Sequence, residues 1–394
     1  MFLIDWILKI KLFNYISNFY FNNENEFVNF RYFQKPISKT KVVAFYLPQF
    51  HQTKENNEWH GMGFTDWINT VKTIPQFVGH NQPQIPYDVG FYDLSSEKVM
   101  YRQIELAKNY GIFGFCFHYY WFSGKRLLEK PIFNWLNNKE LDFPFCLCWA
   151  NENWSKLWDG GNKELLIKQE IKYGDKEKFL QDILPFFKDE RYIKIDNKPL
   201  LVIYKIECVE EDALKDLISY LRTEITKYGF DGIYLLTTNK FIYDSMLPDK
   251  AKEIGFDATM EFPPHGVSTE GAKIKNKKFK IPNRNFKGSL IDMHKVIKEK
   301  LYTTNAKFKC VFPSWDNSPR KTQTGCIVMQ TETEDYKQWL YDSIKQTKEN
   351  NSNSEQIVFI NAWNEWAEGA HLEPDIKSGY TNLQATREVL EQFE

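Results

Sequence analysis

The chain has 394 residues and a formal net charge of −1, with 51 Lys and Arg against 52 Asp and Glu, so no basic footprint for nucleic acid covers its surface. Hydrophobic residues make up 42%; they supply a large core, and the length fits one α/β barrel as readily as several average domains. Aromatic residues reach 16%, with 12 Trp, 21 Tyr and 32 Phe: most of the Phe reads as core, whereas Trp and Tyr offer the flat apolar face and polar handle that suit a sugar ring.

The first 40 residues form an extension that opens "MFLIDWILKIKLFNYISNFYF". Asp5, Lys9 and Lys11 interrupt it too often for a bilayer span, which leaves a helix on a membrane surface or a helix capping the domain. From residue 41 to 394 one theme recurs eight times, a short β-branched and aromatic run followed by an amphipathic helical stretch. The strands are expected to begin near Val42, Ile112, Phe143, Pro199, Gly232, Asp257, Lys309 and Ile357. Helical spacing is plain in Met100, Ile104, Ala107 and in Tyr336, Trp339, Leu340, Ile344. Gly111 and Gly229 follow helical runs where C-caps belong. Runs such as "VVAFYLPQF" and "LLVIYKI" suit strands buried on both faces, as in parallel sheets. The pattern predicts a single-domain (β/α)8 TIM barrel, with a doubly wound open sheet as the alternative.

Two stretches exceed the minimal unit: a long excursion after the first strand (51 to 94) and a basic insertion after the sixth (266 to 288). Long loops in compact domains are usually functional or disordered. The insertion reads as a solvated loop or, more sharply, as a contact for an anionic headgroup or a phosphorylated carrier. The six cysteines lack the spacing of a disulfide framework or zinc site and read as buried thiols of a reducing, cytoplasmic compartment.

A barrel builds its site at the C-terminal ends of its strands. There the sequence places Tyr46, Gln49 and His51; His118 and Tyr120; Trp149, Asn151, Glu152, Asn153 and Trp154; Tyr204; Glu261; Trp315 and Asp316; and Trp363 and Asn364 beside Glu365 and Glu368. Trp149, Trp154, Trp363 and Tyr120 are candidates for stacking on a sugar, and His118, Asn151, Glu152 and Asn153 for hydroxyl contacts. Tyr46, His51, Tyr204, Glu261, Trp315 and Asn364 complete the candidate binding set. Glycosidic bonds are broken most often by two carboxyl groups. Positions i and i+3 of an extended strand face opposite ways, so Glu365 and Glu368 share a site only if the chain turns near Trp366, which Gly369 permits. Spacing alone leaves them as catalytic or as solvated loop carboxylates, with Glu152 as rival. No D-x-D, P-loop, zinc-protease helix or G-x-S-x-G elbow occurs, which argues against metal-dependent sugar transfer and cofactor chemistry.

The stretches "FYLPQFH", "GFTDW", "GHNQPQIPYDVGFYDL", "HYYWFSGKRLLEKP", "FPFCLCWANENWSKLWDG" and "WNEWAEGAHLEPD" resemble the WbsX-type glycosyltransferase family of bacterial surface-polysaccharide clusters. That family is in turn similar to the family 99 glycoside hydrolases, the endo-α-mannosidases and mannanases. The resemblance implies a metal-independent enzyme without cofactor that cleaves or transfers an α-linked mannose- or rhamnose-like unit of a glycan or lipid-linked oligosaccharide, in the cytoplasm or peripheral to the inner membrane face. It implies that Glu365 takes the proton of the substrate 2-hydroxyl, which attacks its own anomeric carbon. Glu368 then protonates the leaving group and later activates water, giving retention through a 1,2-anhydro sugar. His60 and Asp66 depart from the Trp and Glu of many relatives, which implies a different sugar contact in the first loop.

Overall fold

The computed structural model describes residues 27–37, 39–77, 80–155, 165–239, 247–265, 272–274, 286–302, 304–329 and 333–394. The expected N-terminal helix and nearly all of the basic insertion lie outside these residues.

All eight expected strands are present: β1 (Lys41–Tyr46), β2 (Gly114–Phe122), β3 (Phe145–Trp149), β4 (Lys198–Ile203), β5 (Tyr234–Asn239), β6 (Ala258–Glu261), β7 (Cys310–Val311) and β8 (Ile357–Ile360). Each runs parallel to its neighbours in chain order, with Ala44 opposite Phe115, Cys116 opposite Cys146 and Leu201 opposite Leu235. β8 returns to β1 with Val358 opposite Val42, and β7 lies beside β8. A bridge between Met260 and Phe308 joins β6 to the chain entering β7 and closes the ring. The strands are buried along their length, as in Phe145–Trp149 and Ile357–Ile360, because the barrel interior covers one face and helices the other.

The helices bury the expected stripes. Met100 and Ala107 of helix Lys98–Tyr110 are fully buried, as is Leu340 of helix Thr333–Asn350. The first of these helices ends at Gly111, whose φ of 87° is left-handed, the conformation a C-cap needs and a side chain resists.

The excursion after β1 is a folded cover. It carries helices Lys54–His60 and Asp66–Val71 and returns so that the Leu94 amide donates to the Phe50 carbonyl at 2.9 Å. Trp67 packs on Phe50 and Trp366 and donates its indole N–H to the Tyr92 carbonyl at 2.8 Å. Sequence order thus sets this cover against the turn that follows β8. Residues 27–37 also pack on the barrel, with Val28 exchanging backbone hydrogen bonds with Ser378 and Tyr380. Among the described residues no helix is long and apolar enough to cross a membrane.

Candidate active site

β8 ends at Ile360, and the chain leaves the barrel as a tight hairpin. Asn364–Glu365 pairs antiparallel with Ala370–His371 across a 3-10 turn at Trp366–Glu368. The turn closes on Gly369, whose φ is 60°, so the residue that sequence reasoning required for the turn makes it. A Cβ at position 369 would stand 2.9 Å from the Asp316 amide nitrogen. That amide donates to the Glu368 carbonyl at 2.7 Å, so Gly369 is also where β7's exit presses against the turn. Because the backbone reverses between positions 365 and 368, both carboxylates face one cavity instead of opposite sides of a strand.

The space between the lining residues of this cavity, open solvent included, is about 870 Å³. Of the candidate residues, His118 and Tyr120 reach it from β2, Glu152 and Trp154 from beyond β3, Tyr204 from β4, and Glu365 and Glu368 from the hairpin. Gln49, His60, Phe262, Asn361 and Arg320 complete much of its wall. Trp154 and Tyr120 meet edge to face with centroids 5.0 Å apart and form the aromatic side.

The other candidates, Tyr46, His51, Trp149, Asn151, Asn153, Glu261, Trp315, Trp363 and Asn364, do not line this cavity, and all but the exposed Asn153 are buried behind its wall. Neighbours on a strand point to opposite faces. Tyr46 therefore faces the helix layer, where its hydroxyl donates to Gln103 at 2.7 Å. Trp149 packs on Phe179 and donates to the Trp121 carbonyl. Trp363 is fully buried and donates to Glu373 at 3.0 Å. Glu261 is held at 3.0 Å by Lys309 and at 2.7 Å by Thr304, and Trp315 is buried beside Phe312. Asn364 and Asn151 spend their amides on the backbone of Leu47 and Lys205, and the Asn153 side-chain oxygen accepts from the Gln169 amide at 2.6 Å. His51 is buried and its Nδ1 bonds the Pro48 carbonyl. These residues shape the loops that carry the lining groups.

Sequence reasoning missed Arg320. It sits on the short helix Ser318–Lys321 after β7, with 7% of its side chain exposed. Its guanidinium binds Asp66 through both terminal nitrogens, Nη1 to Oδ1 at 3.0 Å and Nη2 to Oδ2 at 2.9 Å. Nη2 also donates to Glu365 Oε1 at 2.6 Å, and Nε stands 3.5 Å from Glu368 Oε1. The signal available in the sequence was chemical: two facing, largely buried acids need a cation, and "DNSPRK" at the β7 rim supplies one.

Burial pushes the Glu368 carboxyl up to about 8, and the negative charge of Glu365 acts in the same direction while Arg320 opposes both. Burial works against a charged His118, yet Cys148, Glu365 and Glu368 together raise it above the ordinary value. Burial also disfavours charge on Arg320, but Asp66 and the two glutamates hold it protonated. The arrangement presents one carboxyl in close contact with a cation and one that retains its proton near neutrality, the division that acid–base chemistry requires. Behind it, Asp316 accepts from Gln82 and bonds His80 Nε2, both at 2.6 Å, and Gln76's amide donates to the other ring nitrogen of His80. This network fixes the strand end against which Gly369 turns. Among the described residues no cluster of three or more metal-ligating side chains occurs.

A family model described as glycosyltransferase WbsX matches residues 42–386. The uncharacterized protein WxcX from two strains of Xanthomonas campestris pv. campestris is 39% identical over 352 residues, which is 89% of this chain and 49% of that protein; the chain spans about half the length of the curated relatives it matches. Among solved structures, the endo-α-mannosidase of Bacteroides thetaiotaomicron, described as GH99, aligns with a TM-score of 0.53 at 15% identity in its Bis-Tris-propane complex, covering 89% of this chain and 96% of that one. A second structure of that enzyme aligns with a TM-score of 0.51 at 14% identity, covering 89% and 97%. At these identities the likeness shows the shared barrel.

Proposed function

This chain belongs to the WbsX glycosyltransferase family, and from that premise we propose that it is a carbohydrate-active enzyme that cleaves or transfers an α-linked mannose- or rhamnose-like unit of a bacterial surface polysaccharide. The observation that carries the reading is the pairing of Glu365 and Glu368 across one cavity, with Arg320 at 2.6 Å from the first and 3.5 Å from the second. Glu365, in contact with the guanidinium, takes the proton of the 2-hydroxyl as that oxygen attacks the anomeric carbon. Glu368 gives its proton to the leaving oxygen, then takes one from the acceptor that opens the 1,2-anhydro sugar while Glu365 returns its proton to the 2-oxygen, so configuration is retained. Trp154 and Tyr120 supply the apolar face for the ring, and Glu152, held at 3.1 Å by Lys205, accepts from hydroxyls. Interfacial contact with the inner membrane face belongs to the same reading, through the N-terminal extension and the basic insertion.

The test is incubation of the purified protein with α-mannan and with surface polysaccharide, with and without nucleotide sugars, while product size and anomeric configuration are followed. Shortened glycan or sugar-to-sugar transfer with retained configuration, independent of nucleotide sugar, is the expected result. Consumption of nucleotide sugar without new reducing ends makes the protein an activated-donor transferase instead. Binding with no product, unaltered by Glu365→Gln, makes it a glycan-binding protein.

A further inference from the structure

Three carboxylates, Asp66, Glu365 and Glu368, stand around Arg320, and the geometry is unequal. Arg320 spends two N–H bonds on Asp66 and shares Nη2 with Glu365. Its Nε–H is buried and has no hydrogen-bond acceptor among the described residues, although Glu368 Oε1 is only 3.5 Å away. Asp66 is fully buried at the first turn of helix Asp66–Val71; its amide donates to the Gln49 carbonyl and its carboxylate accepts from Asn69. The anchor therefore comes from the cover over the barrel and the arginine from beyond β7. They meet only when that cover is folded down.

Resting on the reading of Glu365 and Glu368 given above, we propose that Arg320, held and partly neutralised by Asp66, is the positioning residue that keeps the two glutamates in opposite protonation states. The charge count gives the reason. Three carboxylates against one guanidinium would leave two net negative charges in a buried site, and a proton kept on one of them removes the second. One proton therefore stays in the pair, and the nearer guanidinium contact assigns it to Glu368. When Glu368 releases that proton, the uncommitted Nε–H stands 3.5 Å from the oxygen where charge appears. A donor that gains its partner only then favours the proton-transfer state over the resting state. Asp66 acts in the other direction: without its charge the full guanidinium would fall on both glutamates, and Glu368 would ionise early. Among the described residues, the other titratable groups facing the pair include His118, Tyr120, Tyr204, His60 and Glu152 in the cavity wall, with Cys148 beside His118.

The two partners therefore have opposite effects on one group, which a merely structural role does not produce. The experiment is a carbon-13 NMR titration of glutamate-labelled protein, with the Glu368 carboxyl assigned from the Glu368→Gln spectrum. It is run on the wild type, Asp66→Asn and Arg320→Gln, with Arg320→Lys as the charge-conserving arm should Arg320→Gln fail to fold. Asp66→Asn should lower the Glu368 midpoint by about one pH unit or more, and Arg320→Gln should raise it by a similar amount; Arg320→Lys, lacking the fork, should raise it less. Midpoints that stay fixed in folded variants, or move the same way in both, overturn the proposal. The titration needs no substrate, so it distinguishes this failure from that of the catalytic reading. If Glu368→Gln stays fully active while the midpoints diverge, the enzymatic role falls and the electrostatic one stands. If both hold, the alkaline limb of kcat/KM follows the midpoint in each variant.

Discussion

Glu368 lies in the turn of the hairpin and Glu373 just past its second strand, and both are withdrawn from bulk water, yet their surroundings differ. Glu373 is 1% exposed and accepts four hydrogen bonds: from Gln103 at 2.6 Å and Trp363 at 3.0 Å on one oxygen, and from Tyr92 at 2.9 Å and Trp366 at 2.8 Å on the other. Glu368 keeps 20% of its side chain open to the cavity, and its nearest cation stands 3.5 Å away. Burial raises both, Glu373 to about 7 against the pull of its four donors and Glu368 to about 8 with Glu365 pushing it further. Burial alone therefore does not mark a reactive acid. The number of donors already committed separates a carboxylate that ties the hairpin to its neighbours from one that can exchange a proton with a substrate.

The largest effect should come from breaking the saturated member. Glu373→Leu leaves two indole N–H groups, the Tyr92 hydroxyl and the Gln103 amide without their acceptor, at about 1–3 kcal/mol each where no water replaces it. The melting temperature should fall far enough to unfold the protein at 37 °C, as circular dichroism would record. Glu368→Gln should do the reverse. Turnover falls by a factor on the order of hundreds or more, while the melting temperature and glycan affinity stay near wild type. Equal losses of stability in the two variants would remove the distinction. A smaller effect tests the turn that both depend on. Gly369→Ala forces a side chain into a left-handed residue and against the Asp316 backbone 2.9 Å away, at a cost of about 1–3 kcal/mol. Because the turn carries Glu368, turnover should drop along with melting temperature.

The sequence shows the barrel because parallel strands buried on both faces leave long apolar runs, and it shows the pair because Gly369 marks a turn within "NEWAEGA". The facing of rim residues is less legible: a shift of one position along a strand exchanges cavity for helix layer, which is how Tyr46 and Trp149 come to stand behind the wall. Glu261 looks like a rim acid until Lys309 on the neighbouring strand entry is seen to hold it. Arg320 was hidden by distance along the chain. Its anchor Asp66 lies 254 positions earlier, and only barrel closure and the folded cover bring them together.

The smallest expected effect is a change of slope, and it separates the same two glutamates by pH. A carboxylate whose folded value is raised holds a proton that the unfolded chain, near 4.5, has already released. The native state then binds more protons than the unfolded state, and stability falls as pH rises through the interval between the two values. For Glu373 that interval ends at about 7, and for Glu368 at about 8. Wild-type melting temperature should therefore keep falling between pH values of about 7 and 8, where Glu373 has finished titrating and Glu368 has not. Glu368→Gln has no such proton to lose, so its melting temperature should fall less steeply than that of the wild type up to about 7, where Glu373 alone still titrates, and flatten over the last unit. Parallel curves across the whole range would mean that Glu368 is not the group holding the late proton.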